Sequence, residues 1–140
     1  MLSTTSQLLS HHQAIEKKQV ELYSALAEKY PRYGSVFKKL GDDSLKHMEM
    51  AQRAYREGVT DAFEVGFLAD PLDTGNYRLR EPTGDLAEAV RAMIMNEETV
   101  IRFCVDAASN SSNLLPDVPE TFIRLVKRKK KSIEKLGEIK

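Results

Sequence analysis

The chain has 140 residues, and its 21 Lys and Arg are balanced by 21 Asp and Glu. A net charge of zero leaves no global field to draw in nucleic acid or an anionic membrane, and the single cysteine, Cys104, excludes an intrachain disulfide. No apolar run approaches the roughly 18 residues of a membrane span, and "MLSTTSQLLSHH" lacks the basic start and apolar centre of a secretory leader, so the expectation is a single cytoplasmic domain over residues 1–140.

The first helical period runs from about Ser6 to Tyr30, through Leu8, Leu9, Ile15, Leu22, Tyr23 and Leu26. "PRYGS" interrupts it, and Ser35 is placed to cap a second helix from about Val36 to Glu57, with Gly58 as its stop. Residues 59–84 hold two prolines and no sustained period, which predicts a long connection with a short helical turn around Ala62 to Gly66. A third helix is predicted from about Asp85 to Ala108. The loop "SNSSNLLPDVP" follows, and Asp117 with Pro119 opens a fourth helix over about Glu120 to Leu136. Two helices, a long connection and two more helices predict an all-α four-helix bundle. A long crossover between helices 2 and 3 would let those two run parallel.

Each apolar stripe is broken by polar residues near its midpoint. The first passes Leu8, Leu9, His12, Ile15, Glu16, Gln19, Tyr23 and Leu26, which turns Glu16 inward. Ser44 and His47 fall on the inward face of helix 2 and Glu97 on that of helix 3, while Lys129 and Ser132 interrupt helix 4. Buried charge is costly unless it is paired, so four helices doing this together predict a polar layer inside the core.

These residues resemble the ferritin-like superfamily, and within it the short rubrerythrin-type proteins. Such bundles hold two irons with one Glu on each of two helices and a Glu-x-x-His pair on each of the others. "EKKQVELY" matches the first-helix pattern of Glu followed seven residues later by an aromatic, with Glu16 and Tyr23. "EETVIRFC" repeats it in helix 3, with Glu97 in the ligand place and Cys104 where the aromatic would stand. "FKKLGDDSLKH" keeps Phe37, Leu40 and His47 but has Ser44 in place of Glu; "FIRLVKRKKKS" keeps Phe122 and Leu125 but has Lys129 for Glu and Ser132 for His. The two halves also read as a weak internal repeat.

Paired carboxylates and imidazoles suit iron or manganese because they balance two divalent charges. Here three of the six ligand places implied by the resemblance have changed, and one now carries a cation. The expectation is therefore a degenerate rubrerythrin-like protein without an intact di-iron centre and with no cofactor. It would act as a non-enzymatic structural or binding module with no catalytic residue, its core neutralised by Lys129 and a protonated His47. The alternative is a remodelled oxidoreductase handling iron or peroxide, with iron or another divalent metal on Glu16, His47 and Glu97; Asp43, four residues before His47, offers a substitute ligand, but it lies about 100° around the helix from Ser44, off the inward direction. The resemblance also implies a homodimer.

Other features have plainer readings. His12, four residues before Glu16, is expected to be solvated. "KRKKK", residues 127–131, spreads Lys127, Arg128, Lys130 and Lys131 around an exposed face, and without aromatic partners it argues little for nucleic acid. Cys104 lies on the buried stripe and is expected to be an inert core thiol.

Overall fold

A computed structural model describes residues 1–61, 67–111 and 117–139. Four helices dominate: α1 (Thr5–Lys29), α2 (Gly34–Asp61), α3 (Leu86–Asn110) and α4 (Asp117–Gly137). The expected all-α class holds, and no helix among the described residues is long and apolar enough to cross a membrane.

Local chemistry explains the ends. Thr4 caps α1 through a capping box, its hydroxyl accepting from Gln7 N while Gln7 Oε1 accepts from Thr4 N. Asp85 caps α3 by accepting from Glu88 N at 2.9 Å. Two boundaries differ from expectation. Pro31 opens a 3-10 turn, Pro31–Tyr33, and Gly34 has helical dihedrals, so α2 begins at the glycine rather than after Ser35. Gly58 does not stop α2, which continues to Asp61; a glycine weakens a helix interior by only about 1 kcal/mol. The turn expected at Ala62 to Gly66 lies outside the described residues.

The sequence period missed a strand pair. β1 (Leu2–Thr4) pairs antiparallel with β2 (Phe67–Leu72), joining Leu2 to Leu72 and Thr4 to Phe67 with a slip in register between. Pro71 is tolerated because each strand has a free edge. Beyond β2 the connection lies along α1 and α3. Tyr77 donates to Asp106 Oδ2 at 2.6 Å, and Arg102 donates to the Asn76 carbonyl at 2.8 Å. Lys18 pairs with Glu81 at 2.9 Å.

Two apolar clusters stack along the helices. One gathers Leu8, Leu9, Ala51, Val100, Phe103, Val118, Phe122 and Leu125; the other gathers Leu22, Tyr23, Leu26, Phe37, Leu40, Val90, Met93 and Leu136. Reading each helix by number, α1 and α4 pass from the first cluster to the second, and α2 and α3 pass the other way. Between the clusters every helix contributes buried polar side chains.

Candidate functional site

The polar layer is built from Glu16 and Gln19 of α1, Ser44 and His47 of α2, Glu97 of α3, and Lys129 and Ser132 of α4, all buried. Helical spacing places them. In α1, Glu16 is one turn beyond His12 and one turn before Gln19, on the same face as Leu8, Leu9 and Tyr23. In α4, Lys129 and Ser132 continue the face of Phe122 and Leu125.

Lys129 lies at the centre. Its ammonium is fully buried and donates to Glu16 Oε1 in a short ion pair. It also lies 3.2 Å from Glu97 Oε2 and 3.4 Å from the Ser44 hydroxyl. Glu97 Oε1 accepts from Gln19 Nε2 at 2.8 Å and from the Tyr23 hydroxyl at 2.7 Å. The other Glu16 oxygen, Oε2, is 3.2 Å from His12 Nε2 and 3.6 Å from His47 Nδ1. Neither approach has hydrogen-bond geometry, so these three atoms, with Glu97 Oε2, are buried without hydrogen-bond partners.

The protonation states follow from these contacts. Burial pushes the Glu16 carboxyl up, but the Lys129 ammonium and the two histidines more than reverse this and hold it well below its ordinary range. Burial pushes the Lys129 ammonium down, but Glu16 and Glu97 outweigh it and its pKa ends raised, so the group stays charged. For His47, burial is the largest influence and lowers the pKa. Contact with Glu16 opposes it, the Lys129 ammonium adds to it, and the net shift is downward. The Tyr23 hydroxyl is pushed well up by burial and by Glu97, which keeps it a donor.

Several expectations are corrected. His47 does not supply the second positive charge, because its burial beside an ammonium favours the neutral ring. His12 is not solvated; it is fully buried, its ring edge-on to Phe122 with centroids 5.3 Å apart. Asp43 stays off the inward direction, as its angle from Ser44 around the helix implies. It pairs with Lys39 at 2.8 Å and Lys135 at 3.7 Å in the groove between α2 and α4. Lys127, Arg128, Lys130 and Lys131 are exposed, as expected of a solvated face. Cys104 is fully buried, and its thiol is pushed up by burial and then by the Glu16 carboxylate, which keeps it protonated.

The sequence reading gave no role to Asn96. Fully buried in α3, it accepts from Arg80 N at 2.7 Å and donates to the Arg80 carbonyl at 2.9 Å, tying the connection to the core. An uncharged amide at an inward position was the available signal.

The space between Glu16 and Glu97 is occupied by the Lys129 ammonium, which neutralises carboxylate charge there. An ammonium repels a divalent cation at short range. Among the described residues, no three His, Cys, Asp or Glu side chains converge as a metal-ligand set. No protein-family model, curated protein or solved structure matches this chain.

Proposed function

We propose that the chain is a degenerate ferritin-like protein of rubrerythrin type, a four-helix bundle with a long crossover between α2 and α3. Its di-iron place would be taken by a salt-bridge layer, and it would act as a non-enzymatic structural or binding module. The observation that carries this is the buried Lys129 ammonium between Glu16 and Glu97. The resemblance puts Lys129 at a ligand Glu, and replacing a carboxylate with a cation changes the local charge by two units in the direction that disfavours metal. The direction of the helices between the two apolar clusters is consistent with a crossover. A cytoplasmic homodimer belongs to the same reading, and sedimentation at several concentrations tests the dimer.

The test is elemental analysis of purified protein after anaerobic Fe(II) loading, compared with Lys129→Glu. No stoichiometric metal in the natural chain, with uptake gained in Lys129→Glu, is the expected result. Two metals per natural chain would overturn it. A remodelled oxidoreductase with one metal on Glu16, His47 and Glu97 is the second reading. It draws on Glu16 Oε2, His47 Nδ1 and Glu97 Oε2, which are buried without hydrogen-bond partners. One metal per chain, lost in Glu97→Ala, would decide for it.

A further inference from the structure

A pocket of about 200 Å³ opens between α2 and α4, outside the polar layer. Its walls carry four cations, Lys39, Arg128, Lys131 and Lys135, against one carboxylate, Asp43. Asp43 engages Lys39 and Lys135, which fixes those two ammonium groups at the rim. Arg128 and Lys131 have no carboxylate partner among the described residues. The lining also includes two side chains that are almost fully buried, His47 and Ser132. Ser132 is 4% exposed, and its side chain lines the pocket. The formal charge of this lining is three units positive.

We propose that this pocket binds a phosphate monoester, its phosphoryl oxygens held by the Arg128 guanidinium, the Lys131 ammonium and the Ser132 hydroxyl. A guanidinium offers a planar fork of donors that suits phosphate, and a lysine adds a point charge. The volume is below the roughly 300–1,000 Å³ of pockets that enclose drug-sized ligands, so it suits a headgroup and not a whole molecule. Arg128 also lines an adjoining hollow of about 670 Å³ that includes Met50 and Arg53. The organic part of the ester would lie there. The inference goes beyond the reading of the core and does not depend on whether the interior binds metal.

The test is titration calorimetry with phenyl phosphate at about 150 mM salt, where long-range attraction is screened. Binding at about 1 mM or tighter is expected. Arg128→Ala/Lys131→Ala should weaken it about tenfold or more, while Lys127→Ala/Lys130→Ala, with the same charge change on the same helix, should not. Ser132→Ala should weaken it several-fold, with circular dichroism unchanged. Absence of binding, or equal loss in both double variants, overturns the assignment. An unchanged affinity in Ser132→Ala overturns the hydroxyl's part in it. Binding only to phosphatidic acid vesicles, or only to duplex DNA, also overturns it, because the ligand would then be a surface or a polymer.

Discussion

Lys129 and Glu16 meet inside the protein from positions 113 residues apart, and neither side chain is exposed. They belong to α4 and α1, which are not packed neighbours, since α1 packs on α2 and α4 packs on α3 and α2. The ion pair therefore spans the interior between the two helical pairs. Such pairs add little net stability over apolar replacements, but losing one partner leaves a buried charge alone.

Lys129→Met tests that asymmetry. It should destabilise the fold by about 3–5 kcal/mol in urea unfolding, because Glu16 and Glu97 lose their cation. Adding Glu16→Gln should recover part of the loss, giving a favourable coupling energy in a double-mutant cycle. A single-variant cost under about 1 kcal/mol, the range of exposed pairs, would show that the ammonium is not buried as described.

The interior titrations set the shape of the pH profile. His47 has a folded pKa below its ordinary 6.5, so its contribution is complete above 6.5 and lost as pH falls through the folded value. Glu16 is depressed well below 4.5, so its contribution is complete above 4.5 and is lost at lower pH still. Lys129 is raised above 10.5, so its contribution is complete below 10.5 and is lost at higher pH. Urea midpoints should therefore be flat only from about pH 7 to 8. Above that range stability falls as the unfolded chain ionises the Cys104 thiol, whose folded pKa is raised above its ordinary 9; on the acid side a shallow fall begins near 6.5 and a steeper one below about 4.5. Glu16→Gln should flatten the steep limb and deepen the shallow one, because it removes the carboxylate that holds the His47 pKa up. An unchanged steep limb in that variant would remove Glu16 as its source.

The apolar stripes were legible because period 3.6 fixes a helix face whatever that face later packs against. Leu8, Leu9, Ile15, Glu16, Gln19, Tyr23 and Leu26 share one face by spacing, and all are buried. The same spacing put Glu97 and Lys129 inward. It could not give their partners, because which helix meets which depends on the connections. The donors to Glu97, Gln19 and Tyr23, come from α1, 78 and 74 residues away. The protonation of His47 was misjudged for a related reason. Charge counting assumes equal access to protons, whereas burial and the Lys129 ammonium make one site costly to charge. Strand β1, three residues long, is too short for any period to register.

Tyr23→Phe isolates one of those partners. The ring is buried and stacked on Phe37 with centroids 6.5 Å apart, and the variant keeps that contact. What it removes is the hydroxyl that donates to Glu97 Oε1 at 2.7 Å. A hydrogen bond to a charged group contributes about 1.5–3 kcal/mol, and Gln19 remains as the other donor. The expected loss is in that range, with the near-ultraviolet spectrum otherwise native. A loss within about 0.5 kcal/mol, the usual effect of a neutral surface change, would mean the hydroxyl does not hold Glu97.

Two glycines should respond to the same substitution with opposite signs. Gly41 lies inside α2 where α1 comes close; an added Cβ would be 3.5 Å from Tyr23 Cβ, an ordinary contact. Gly41→Ala should therefore stabilise the fold by about 0.5–1 kcal/mol, the helix-propensity gain. Gly84, just before the Asp85 cap of α3, has φ of 83°, and a Cβ there would stand 2.6 Å from Glu88 Oε2. The side chain of Glu88 can swing away, but the backbone cannot relax without disturbing the cap. Gly84→Ala should cost about 1–2 kcal/mol, through left-handed strain in a residue with a side chain. Thermal unfolding of the two variants against the natural chain reads both signs at once. A stabilised Gly84→Ala would mean that the entry to α3 is not the turn described, and a destabilised Gly41→Ala would mean that α1 and α2 are closer than 3.5 Å allows.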